Sequence, residues 1–86
     1  MNEIIIDCGE MTNKASANAY LENVFGWSES VTDAESLLEL LLGIEEPVEI
    51  TFEDVDLLEI NLEDYGQEIL DAFEQAESSN ENIKLV

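Results

Sequence analysis

The 86-residue sequence has no histidine and no arginine, only two lysines (Lys14 and Lys84), and one cysteine. Each scarcity removes chemistry. Without histidine there is no Ser-His-Asp or Cys-His arrangement and no imidazole base near neutral pH. The single Cys8 cannot build a Cys/His zinc site or an intrachain disulfide, which suits a reducing compartment. With so few cations the chain lacks the clustered Lys and Arg that nucleic-acid binders need, and anionic lipid would repel it equally. No positively charged, apolar leader opens the sequence and no run is long enough for a membrane span, so a cytoplasmic location is expected.

What is present is acid. Twenty-two Asp and Glu residues give a formal net charge of −20, within a composition that is 45% hydrophobic. That hydrophobic share is too high for a disordered acidic tail, so one small folded domain, residues 1–86, is expected. A compact chain of this charge repels itself, and a chain this short buries only about 60% of its unfolded surface. There is little room for an enclosed active site. No cofactor and no metal are expected, and the free protein should be a monomer.

Along the chain, Asn2 to Asp7 is a β-branched run that reads as a buried strand, with Cys8 a small buried thiol at its end. From Ala15 to Phe25 the apolar positions Ala17, Tyr20, Leu21, Val24 and Phe25 follow helical spacing, and Gly26 can end that helix. "GWSESV" is a loop. Thr32 can cap a second helix with Glu35 at the third position of a capping box; its five leucines leave Glu39 as the one polar interruption, and Gly43 closes it. Val48 to Phe52 alternates as a strand. "EDVDLLEI" suggests one or two helical turns. Asn61 reads as the cap of a last helix carrying Tyr65, Ile69, Ala72, Phe73 and Ala76, in which Gly66 costs about 1 kcal/mol unless it serves a close contact. "ESSNEN" is a turn and "IKLV" a final strand. Helices between short apolar strands imply crossovers, hence an α/β fold with a small parallel sheet packed by three to four helices.

Glu35 and Glu39 are the informative pair. Four residues apart on one helix face, two like charges repel by about 0.2–0.5 kcal/mol. Glu35 can belong to the cap with Glu39 merely solvated, or the two can form a binding face for a basic partner. Glu29 and Asp33 before them, Glu45 and Glu46 after them and Trp27 in the loop suit an interface with an aromatic centre and a charged border. Trp27 can equally fold into a core with Phe25. Catalytic use would need opposed carboxylates across a cleft, and "DVDLLEINLED" lacks the ligand spacing and central glycine of an EF-hand. The chemistry describes a non-enzymatic acidic binding protein whose partner is strongly basic. Adaptation to high salt would explain the charge without assigning a function.

On these residues the chain resembles the barstar family, the intracellular inhibitors of barnase-type ribonucleases. The resemblance rests on "EIIIDCGEM", "AESLLELLLG", "PVEITF" and "ILDAFEQAESSNENIKLV", nearly the whole length. The family's second helix follows Leu-Asp-Ala-Leu-x-Asp-x-Leu; here Ala34 to Leu41 read Ala-Glu-Ser-Leu-Leu-Glu-Leu-Leu, so the family's two nuclease-facing acids match Glu35 and Glu39. The resemblance implies a three-stranded parallel sheet packed by helices and an inhibitor, or immunity protein, that occludes a basic active site. A further acidic contact of the family falls at Gln75, beside Glu74. The Tyr-Gly-x-Asn of the family loop is replaced by Ser30, Val31, Thr32 and Asp33, and the family's tryptophan by Leu38, leaving Trp27 and Ile44 to supply apolar contact. The contrasting reading is an acidic adaptor or nucleic-acid mimic that binds a basic regulator without inhibiting an enzyme.

Overall fold

The computed structural model describes residues 2–86. Strand β1 (Asn2–Asp7) runs into a single 3-10 turn at Cys8–Glu10, followed by helices α1 (Lys14–Phe25) and α2 (Ala34–Leu42). Strand β2 (Val48–Glu53), helices α3 (Asp56–Leu62) and α4 (Asp64–Ser79) and strand β3 (Ile83–Leu85) complete it. The sheet is parallel throughout in the order β1-β2-β3, so the fold is α/β, a three-stranded parallel sheet with four helices. A strand order that follows the sequence, with crossovers of the usual right hand, puts both helical connections on one face of the sheet.

The burial pattern agrees. Ile6, Ile50 and Ile83 point into the core, while Glu3, Ile5, Glu53 and Lys84 point away from it. Ile5 is 56% exposed, so β1 is covered on one face only, where a buried strand was expected. Two successive strand residues face opposite ways, and among the described residues no element covers the outer face. The inner face is filled by Leu21, Leu37, Leu41, Leu58, Ile69 and Phe73, each fully buried. Phe73 lies at the centre, edge-on to Phe52 with ring centroids 5.0 Å apart.

Two helix starts differ from expectation. Asp33, not Thr32, caps α2: its carboxylate accepts from the Ser36 amide at 2.8 Å, and the Ser36 hydroxyl accepts from the Asp33 amide at 3.1 Å. The same box begins α1, with Asn13 and Ser16 in those roles. Asn61 caps nothing, because the chain is already helical there; α4 begins after Glu63, which takes a positive φ of 54° between the two helices. That junction is tight because Gly66 packs on the backbone of Leu58, where a Cβ would come within 2.7 Å of its carbonyl carbon. The helix then runs to Ser79, absorbing the first half of the expected "ESSNEN" turn. Of the α2 leucines only Leu37 and Leu41 are fully buried, and Leu42 is 43% exposed, so less of that helix is covered than its composition suggests.

Candidate functional site: an acidic groove between two helices

Helix α2 packs against α4, and a groove of about 270 Å³ lies between them. Helix α2 contributes Ala34, Glu35 and Leu38; α4 contributes Glu68, Asp71, Ala72 and Gln75. The two alanines keep the floor shallow, and three carboxylates stand at the edges with no basic side chain in the lining. Helical spacing explains the arrangement: Glu68, Asp71 and Gln75 share one face of α4, beside the buried stripe of Ile69, Ala72, Phe73 and Ala76. The Gln67 side-chain amide donates to the Asp71 carboxylate at 3.0 Å and orients it.

Because Ser36 occupies the third position of the capping box, Glu35 is not engaged in capping and its side chain is exposed. It sits in the first turn of α2, where the helix dipole favours a negative charge. Glu39 is exposed one turn further along the helix, with about 5–6 Å expected between the two Cβ atoms. Asp33 is committed to the cap, and the hydrogen bond from the Ser36 amide holds its carboxyl below the usual carboxylate range, with the charge of Lys14 contributing less.

Helices α1 and α4 and the loop before α2 are tied together. The Tyr65 hydroxyl donates to the Asn18 side-chain carbonyl, and the Asn18 amide donates to the Thr32 carbonyl at 3.4 Å. Burial raises the Tyr65 pKa, reinforced by the charges of Asp33 and Glu68. The Lys14 ammonium stands 4.8 Å from the centre of the Tyr65 ring. The loop itself is held by Glu22, whose carboxylate accepts from the Val31 amide at 2.9 Å.

The residues singled out from the sequence therefore fall into separate places. Glu35 and Gln75 meet in the groove, with Glu39 on the same helix. Trp27 and Ile44 do not join them; they line a different concavity near Val48 at the start of β2. A rise of about 1.5 Å per residue leaves roughly 10 Å of helix between Glu35 and Leu42, just before that second site. Glu29 is an exposed loop residue, and Glu74 is exposed on α4 outside the groove lining. Glu68 and Asp71 were missed, although their spacing with Gln75 was readable beside the apolar stripe of the last helix. No protein-family model matches this chain, and no curated protein matches it.

Proposed function

We propose that this chain is a cytoplasmic inhibitor that binds a barnase-type or related basic ribonuclease one-to-one and occludes its active site, as its resemblance to the barstar family implies. The observation that carries this reading is the α2–α4 groove, where Glu35, Glu68 and Asp71 converge without a compensating cation. A ribonuclease must present cations to the phosphates of RNA, and a preformed row of carboxylates competes for them. Two packed helices, α2 held by its Asp33–Ser36 capping box, hold the row in place, so little ordering entropy opposes association. Glu35 and Glu39 pair with the active-site cations, Gln75 adds a hydrogen bond from α4, and the exposed Glu29, Asp33 and Glu74 accelerate encounter through the long-range field.

The test is calorimetric titration into a panel of basic microbial ribonucleases at two salt concentrations, with RNA cleavage measured in parallel. One-to-one binding that persists at high salt and abolishes cleavage supports the reading. Charge reversal at Glu39 should then weaken binding by about 2–5 kcal/mol, because it strands a desolvated partner charge. Weak heat that vanishes with salt, without inhibition, would instead favour an acidic adaptor bound through diffuse charge.

A further inference from the structure

The end of the molecule at which β1 and β2 begin carries a second concavity, of about 250 Å³. Phe25, Trp27, Ile44 and Val48 give it an apolar wall, and Glu45 and Glu46 belong to its rim. Phe25 and Trp27 are stacked, with ring centroids 4.5 Å apart and planes within 10°. Phe25 in turn leans on Phe73 of the core at 6.1 Å, so the aromatic pair is anchored from behind. One face of the indole is thus covered, and Trp27 offers the cavity its other face or its edge.

Ile44 is also held in place. The Ile44 carbonyl accepts from the side-chain amides of Asn80, at 3.0 Å, and Asn82, at 3.2 Å. No lysine lines the cavity: Lys14 stands over Tyr65, and Lys84 points outward from the sheet. Among the described residues, the carboxylates at the mouth therefore have no cation to meet.

We infer that this cavity receives an arginine side chain of a partner protein. An arginine fits both halves of the cavity: its planar, weakly hydrated guanidinium stacks on aromatic rings and pairs with carboxylates, while its methylene stem suits the apolar wall. A lysine ammonium is more strongly hydrated and lacks the flat face. The identity of the partner rests on the function proposed above; the chemistry of the cavity does not. The groove and the cavity lie toward opposite ends of α2, a separation that one interface of ordinary size spans.

Trp27 is the sole tryptophan, so its fluorescence reports on the cavity alone. The probe is N-acetyl-arginine methylamide, with the lysine, citrulline and norleucine analogues beside it. The expected result is a saturable change in Trp27 emission, with a dissociation constant on the order of 1–10 mM for so small a ligand. Citrulline, which has nearly the same shape without the charge, should bind at least about tenfold more weakly, as the loss of one charged contact predicts. The double variant Glu45→Gln/Glu46→Gln should weaken arginine binding at least about fivefold, whereas the exposed and remote Glu10→Gln/Glu59→Gln should leave it unchanged. No saturable change, equal binding of norleucine, or equal loss in both double variants would overturn the inference. Because the probe contains no ribonuclease, such a failure is separate from failure to inhibit one.

Discussion

Replacing Asn80 tests whether the end of α2 is held from a distance. Helix α2 ends at Leu42 with Gly43 after it, and no side chain of its own last turn is a donor. Its last carbonyls accept from the Gly43 and Ile44 backbone amides and also from a side chain distant in sequence. The Asn80 amide lies 3.1 Å from the Leu41 carbonyl, 3.4 Å from that of Leu42 and 3.0 Å from that of Ile44. The amide has two hydrogens, so two of these contacts are satisfied at a time, and the side-chain carbonyl accepts from the Asn82 amide at 3.0 Å. Three hydrogen bonds at about 0.5–1.5 kcal/mol each, discounted because water reaches part of the site, put the cost of Asn80→Ala at about 2–3 kcal/mol. Against a total of about 4–13 kcal/mol for a chain of this length, that is a large fraction. Asn80→Asp is the sharper comparison. It keeps the acceptor for Asn82 but turns a carboxylate oxygen toward the carbonyls, so it should be less stable than the alanine variant at neutral pH. Urea unfolding followed by circular dichroism gives both values, with the slope unchanged. A loss below about 0.5 kcal/mol for Asn80→Ala, or an aspartate variant more stable than the alanine one, would refute this account of the helix end.

Three further expectations follow from the packing and the charge. Gly66→Ala drives a methyl group into the Leu58 backbone, where the nearest atoms cannot rotate away; a loss of about 1–3 kcal/mol or more is expected in the same unfolding assay. Cys8 is fully buried, and desolvation, with the charges of Asp7, Asp54 and Asp56, pushes its thiol up to about 11. A thiol reagent should therefore label it only as the protein unfolds. Its contribution is intact below the unfolded value of 9.0 and is lost as pH rises toward 11, because the unfolded chain gives up its proton first; urea midpoints across that window should fall less in Cys8→Ala. Finally, Glu68→Gln should raise stability by about 0.2–0.5 kcal/mol at low salt by relieving repulsion at the groove, while weakening the proposed partner complex. Added salt should erase that stability difference.

The strand and helix order was legible because each apolar run has a clear period and a clear stop. Asn2–Asp7 is β-branched, and Gly26, in the left-handed conformation at φ 70°, ends α1 as its position suggested. The errors arose where local chemistry allowed two answers. Thr32 and Asp33 are both good caps; the sequence "TDAES" repeats the pattern of "TNKAS" twenty residues earlier, and in both the second residue caps while the serine closes the box. Asn61 has a capping side chain, yet the α3–α4 contact at Gly66 moves the helix boundary to Glu63, a residue with no preference for positive φ. The groove was half legible: Glu35 came from its helical spacing with Glu39 and Gln75 from resemblance, but pairing them with Glu68 and Asp71 required knowing which face of α4 meets α2. The division between the groove and the Trp27 cavity depends on where the loop carries the indole, and hydrophobic periodicity says nothing about loops.

The register of the sheet has a consequence for how the chain reaches its native state. Asn2 pairs with Val48, and Val48 with Ile83, so every ladder joins segments separated by two helices and no hairpin exists to start it. Closing such spans costs chain entropy before any strand contact repays it, and topologies of this kind fold in milliseconds or longer, well behind simple helical bundles. During that interval "EIIID" stays unpaired in a chain that could adhere to its neighbours. Glu3 and Asp7, which bracket the three isoleucines, and the mutual repulsion of the whole chain oppose that adhesion. The same negative charge that burdens the folded state would thus act as a chaperone for the slow one.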